Sequence, residues 1–203
     1  MKRYTIARVS GRPDWDAIPA LDIDEQLWRP RVDIAARAQI AWDDENLYVR
    51  LSAREVHIRA EHDSPTGMPC EDSCLEFFFS PIPGDPRYFN IEFNPNACMY
   101  LGWGDGRNLN RLLPERDWLE PKAARTADGW RIEYRVPFDF VRMFAPDFQP
   151  KPGDRIRANC YKCGDLTVHE HYLAWNPCTS AEPAFHRPQD FGEMIFGGDS
   201  ACD

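Results

Sequence analysis

The residues best placed to do chemistry fall on two short alternating runs. In Ser73-Cys-Leu-Glu-Phe-Phe-Phe79, Glu76 shares a strand face with Phe78. In Tyr88-Phe-Asn-Ile-Glu-Phe93, Phe89, Ile91 and Phe93 line one face, and Tyr88, Asn90 and Glu92 the other. If the two runs pair as a hairpin, Glu76, Asn90 and Glu92 converge. Three polar groups on one sheet face can hold the hydroxyls of a ligand. Two carboxylates roughly 5–10 Å apart could also cleave a glycosidic bond, which makes hydrolysis by Glu76 and Glu92 the sharpest catalytic alternative. The bland alternative is a solvated face on which Glu76 bonds only to a neighbouring loop.

Two other sets carry potential metal chemistry. Cys160-Tyr-Lys-Cys163 has the spacing of a zinc or redox pair, with His169 and His171 nearby. The segment Arg155 to Cys163 alternates as a strand, however, and residues three apart on a strand point to opposite faces, which spoils a chelate. Asp43, Asp44, Glu61, Asp63, Glu71 and Asp72 could supply hard oxygens to calcium, although they form no EF-hand loop. No nucleophile elbow and no glycine-rich phosphate loop occurs in the chain.

The elements that must position these residues read as strands. Ala38 to Trp42 and Leu47 to Ala53 flank the turn Asp43-Asp-Glu-Asn46. Cys98 to Trp103 continues the pattern, and Gly104 to Glu120 reads as an irregular polar loop. Lys122 to Thr126 and Trp130 to Val136 flank the turn Ala127-Asp-Gly129. Pro137 opens one short helix, Phe138 to Phe144. Arg155 to Cys163, Glu170 to Trp175 and Met194 to Phe196 complete the set. Short strands with frequent turns, and 18 prolines in 203 residues, predict an all-β antiparallel sandwich of jelly-roll-like or immunoglobulin-like layers with one short helix. Residues 1–203 fit a single domain.

A net charge of −9 and no Lys/Arg cluster argue against a nucleic-acid partner, which requires a basic stripe. No stretch is long and apolar enough for a membrane helix. Seven cysteines, an odd number, and an N-terminus without an apolar leader core imply a reducing, cytoplasmic setting; a leader already removed would place the chain outside the cell or in a periplasm. Trp15, Trp28, Trp42 and Trp130 lie in alternating or motif contexts and are expected in the core. Trp103 and Trp118, beside the long loop, are expected to be exposed. The sequence carries no sign of oligomeric state.

Five segments in order resemble the carbohydrate-binding module family 9-like domains. They are Asp14-Trp15 with Ile18-Pro-Ala-Leu21, Trp42-Asp-Asp-Glu-Asn-Leu-Tyr-Val49, Glu71-Asp-Ser-Cys-Leu-Glu76, Asp128-Gly-Trp-Arg-Ile-Glu133 through Val136-Pro137, and Phe191-Gly192 before Met194-Ile-Phe196. The resemblance implies a non-catalytic β-sandwich that binds an oligo- or polysaccharide, with characterised members holding chain ends, and it implies calcium as an accompanying ion. It also implies a tryptophan clamp around a sugar ring. The stretch corresponding to one jaw, Pro65 to Cys70, has no aromatic residue, and Phe185 stands at the other. The family's glutamate is present as Glu76, while Asn90 and Tyr161 replace an arginine and a glutamine. The expected ligand-binding set is therefore Glu76, Asn90 and Glu92 with flanking Tyr161, Trp175 and Phe185. The missing jaw keeps open a sandwich that has lost sugar binding and serves interaction or structure.

Overall fold

Alternation of apolar and polar side chains builds most of the sheet. In β5 (Asn46–Arg54), Leu47, Val49, Leu51 and Ala53 are buried while Tyr48, Arg50 and Ser52 are half-buried. The strand before it, β4 (Ala35–Trp42), reaches β5 through a turn set by Asp43, whose Oδ1 accepts from the amides of Glu45 and Asn46 at 2.8 Å each. The computed structural model describes residues 1–114 and 117–198. Glu115 and Arg116, within the 104–120 segment, and Cys202 lie outside the described residues.

Among the described residues, fourteen strands form one sheet that curls into two facing layers. β1 (Arg3–Arg8) belongs to both. Its first residues pair in parallel with β14 (Gly192–Phe196), and Ala7 and Arg8 pair in parallel with the end of β4. The first layer runs β10 (Lys122–Arg125), β11 (Gly129–Pro137), β5 and β4, with β2 (Leu21–Ile23) against β4. The second runs β14, β12 (Arg155–Gly164), β6 (Cys74–Ser80), β7 (Tyr88–Phe93), β8 (Met99–Asp105) and β9 (Asn108–Arg111). β13 (His171–Ala174) extends β12, and β3 (Glu25–Gln26) extends β13. All pairings but the two of β1 are antiparallel.

The all-β sandwich with one short helix, α1 (Phe138–Arg142), agrees with the sequence reading. Two features depart from it. The segment from Gly104 is not all loop, because Gly106, with φ of 55°, turns the chain back so that β9 pairs with β8. Trp103 is buried against Phe89 at a ring separation of 4.5 Å, and Trp118 is half-buried against Phe140 at 5.8 Å. Both rings cover the end of the main core, where apolar area is worth more inside than exposed.

That core lies between the layers and joins Leu75, Phe77, Phe79, Phe89, Ile91 and Phe93 to Val49, Leu51, Trp130 and Ile132. A second, smaller cluster lies on the other face of β6, β7 and β12, and includes Phe78, Tyr88, Tyr161, Phe185 and Phe191. Every residue of β6 and β7 is buried for this reason. The outer face of the second layer is roofed, not open to water.

Candidate functional site

The register of β6 and β7 sets Glu76 opposite Glu92 and Phe78 opposite Asn90. β8 continues the floor, with Tyr100 opposite Glu92. The roof comes from distant loops: Leu27 and Trp28 hang from β13 through the Leu27 amide and the Tyr172 carbonyl (2.9 Å), and residues 183–186 lie alongside. A third loop, 65–68, is fastened by Arg111, whose guanidinium donates to the carbonyls of Pro65, Thr66 and Gly67. The result is a cleft with a cavity volume of about 470 Å³, within the range of small-ligand sites.

Glu76, Asn90, Glu92 and Phe185 all line this cleft. The other two residues of the expected set do not. Tyr161 lies beneath Phe185, its ring stacked at 4.0 Å and 14°, so it supports the wall without forming it. Trp175 follows the end of β13 and packs into the main core, over a Gly192 where a Cβ would come within 2.5 Å of the ring. Trp28, expected in the core, lines the cleft: its ring sits 5.5 Å from that of Phe185, and its Nε1 donates to the Ser180 carbonyl at 2.8 Å. Where the resemblance implies a second aromatic jaw, Met68 lines the cleft instead.

The floor is acidic and buried. Glu76 is 2% exposed, Asn90 0% and Glu92 6%. Burial first, and then the neighbouring Glu92 carboxylate, pushes the Glu76 carboxyl well above its usual range. Burial likewise raises Glu92 to about 7, against the lowering effect of the Asn90 amide, which donates to Glu92 Oε1 at 2.9 Å. Glu76 Oε1 accepts from the Cys163 thiol at 3.0 Å. Among the described residues, Asn90 Oδ1 and Glu92 Oε2 have no protein partner. A buried oxygen left without a donor costs about 1–3 kcal/mol, so a donor brought to either atom would be stabilising.

At the rim, Tyr88 donates its hydroxyl proton to the Gly106 carbonyl (2.7 Å), so the contact with His186 Nδ1 (2.8 Å) has the imidazole as donor. Burial lowers the His186 pKa to about 4, which keeps the ring neutral and leaves Nε2 as an acceptor. Arg107, Asp165 and Tyr172 also line the cleft. Tyr100 was within reach of the strand alternation, since Leu101 and Trp103 point inward. Trp28, Arg107 and His186 sit on loops; the sequence context of Trp28 points to the core, and Arg107 and His186 carry no periodic signal.

The candidate metal sets separate clearly. Cys160 falls in the main core and Cys163 in the cleft-side cluster, as a strand requires. The calcium donors do not fit the ion. Asp43 binds the backbone of its own turn and the Tyr48 hydroxyl, Asp44 pairs with Arg8, Glu61 with Arg59, and Glu71 with His62. Asp72 accepts from the amides of Glu61 and His62 and from Asn94, and Arg59 stands 3.2 Å from its other oxygen. Among the described residues, no three of these six bring their oxygens together.

A sandwich that roofs one sheet face with loops, and leaves acceptors unpaired beneath an aromatic wall, is a binding domain. The chain belongs to carbohydrate-binding family 9, whose profile matches residues 9–196. It is a binding module and not a catalyst. The fold is also that of a candidate carbohydrate-binding protein from Bacteroides uniformis, at a TM-score of 0.82 and 24% identity over 96% of this chain and 99% of that one. A family 9 module from Caldicellulosiruptor kristjanssonii in complex with glucose matches at a TM-score of 0.73 and 16% identity, over 100% of this chain and 99% of that one. The same organism's family 9 module in complex with cellotriose matches at 0.73 and 16%, over 98% and 96%. No curated protein matches the sequence. Among the described residues, no helix is long and apolar enough to cross a membrane.

Proposed function

We propose that the cleft over β6, β7 and β8 is the carbohydrate site of this domain. Glu76, Asn90 and Glu92 take sugar hydroxyls, and Trp28 with Phe185 takes the C–H face of a ring. One observation carries the reading: Asn90 Oδ1 and Glu92 Oε2 are buried, unpartnered and beside an aromatic wall. Hydroxyl protons satisfy such acceptors, and an aromatic face complements the apolar side of a pyranose. The two glutamates stand side by side on the floor of one cleft, an arrangement suited to gripping one ligand. Six free cysteines among the described residues accord with a reducing compartment, and we place the domain in the cytoplasm on that ground.

The test is a calorimetric titration with glucose and cellotriose beside a glycan array. Binding that drops in Glu92→Gln and Phe185→Ala is expected. Similar affinity for the two sugars means that one terminal residue is held; a gain with cellotriose means an extended chain. No binding to any glycan would leave a structural sandwich, and released oligosaccharide products would restore hydrolysis.

A further inference from the structure

We propose that Cys74, Cys163 and Glu76 form a site for a thiophilic divalent cation, zinc by the chemistry of its donors, in the floor of the cleft. The strands put the donors there. Cys163 of β12 lies directly opposite Cys74 of β6, so both thiols rise from the same sheet face as immediate neighbours. Glu76 is two residues beyond Cys74 on that face. The two sulfurs and a Glu76 oxygen all lie within 4.8 Å of one another, with Cys163 Sγ to Glu76 Oε1 at 3.0 Å. Zinc at about 2.3 Å from sulfur and about 2.0–2.2 Å from oxygen needs tetrahedral donor separations of about 3.5–3.8 Å. Small side-chain movements reach that geometry.

Other features of the site point to a cation and not merely to buried apolar cysteines. A thiol is a weak donor, so two thiols are poor company for a fully buried carboxyl. The partners of Cys74 are weak ones, the Cys163 thiol and, at 3.9 Å, its neighbour's carbonyl. Glu76 and Cys163 line the cleft, so an ion has a path in. Glu92, opposite Glu76, keeps an unpartnered buried oxygen that would orient a water on the metal, as outer partners do in metal sites. Three protein ligands leave a fourth position facing the cleft, the arrangement of a site that exchanges a ligand. On the sugar reading above, that position gives a hydroxyl or carboxylate of the carbohydrate a direct bond to the ion.

The experiment uses reduced, chelator-treated chain titrated with Co²⁺ and then Zn²⁺. One equivalent of Co²⁺ should give thiolate-to-metal charge-transfer bands and tetrahedral visible bands, and Zn²⁺ should displace it. Cys74→Ser and Cys163→Ser should each weaken Zn²⁺ binding at least about tenfold, and Cys178→Ala should leave it unchanged. Absence of the charge-transfer bands, or bands that persist in both serine variants, overturns the site. Should those variants fail to fold, X-ray absorption at the zinc edge of the unmutated chain decides: two sulfur neighbours sustain the proposal, and none or four overturn it. Glycan titrations with and without Zn²⁺ are read separately, so loss of sugar binding and loss of metal binding stay distinguishable.

Discussion

Two buried polar clusters lie on opposite faces of β12, one residue apart in sequence, and they are finished in opposite ways. On the core side, Lys162 Nζ reaches the Cys163 carbonyl at 2.9 Å, His171 Nε2 at 2.7 Å and Glu55 Oε2 at 3.3 Å. Glu55 in turn accepts from the Trp130 indole at 2.7 Å and from Ser73 at 3.0 Å, and His171 Nδ1 contacts the His169 carbonyl at 2.7 Å. One cation meets one anion, and none of these atoms lacks a partner. On the cleft side, Glu76 faces Glu92 without a cation between them, and two acceptors stay open. Burial alone therefore does not distinguish the two clusters. Their pairing does: the closed cluster fastens β12 to the loop after β5, and the open one leaves two acceptors free on residues that line the cleft.

The comparison breaks most sharply at Lys162. Lys162→Met strands Glu55 without its cation in the interior, and removing one partner of a buried pair costs about 3–5 kcal/mol. Urea unfolding should show that loss, and Glu55→Gln added to it should recover part. Stability unchanged by Lys162→Met would mean the closed cluster is not what fastens the strand. On the open side the cost should fall on ligand binding. Because Glu92 is raised to about 7, it is a charged acceptor at pH 8, where Glu92→Gln exchanges it for a neutral one, worth about 1.5–3 kcal/mol, and affinity should fall roughly tenfold to a hundredfold. The urea midpoint should move little, and a variant with full glycan affinity would remove Glu92 from the site.

The same contrast explains what the sequence disclosed. The period of two in Cys74–Ser80 and Tyr88–Phe93 was enough to put Glu76, Asn90 and Glu92 on one face, because sheet pairing preserves that alternation. It could not show that the face is roofed, since the roof comes from residues 27–28 and 183–186, far along the chain. Nor could it show the burial of Lys162, a residue type almost never fully buried unless paired. Tyr161 and Trp175, expected as flanking aromatics, leave the wall: one is covered by Phe185 and the other turns into the core. β9, with Asn-Leu-Asn-Arg, is too polar to announce itself, and β1 is a parallel link between layers that local pattern does not encode.

Phe185 sharpens the comparison from the apolar side of the cleft. Its ring is backed by Tyr161 and flanked by Trp28 and Tyr172, so its plane is fixed before any ligand arrives. Phe185→Ala removes that platform, and a stacking contact worth roughly 0.5–1.5 kcal/mol predicts a loss of up to about tenfold in sugar affinity. Phe185→Trp should retain or improve binding. Equal affinity in all three forms would move the ligand off this wall.

The smallest effect returns to the closed cluster and concerns its response to acid. Burial first, and then Lys162, lowers the His171 pKa from 6.5 to about 4. The unfolded chain therefore takes up a proton at this position between those values, while the folded chain does not. Stability rises with pH wherever the unfolded state holds more protons, so the His171 contribution is intact above about pH 6.5 and is lost progressively as pH falls toward 4. His171→Gln keeps an acceptor for Lys162 and removes the titration. Melting curves at pH 7 and pH 6 should converge in the variant by roughly 1–3 °C relative to the parent, about 0.7 kcal/mol for a chain of this size. Part of the acid sensitivity should survive the substitution, because His186 at the cleft rim is held neutral in the same way. An unchanged separation of the two curves would mean that His171 is not held neutral against Lys162, and that the closed cluster is less completely paired than its distances indicate.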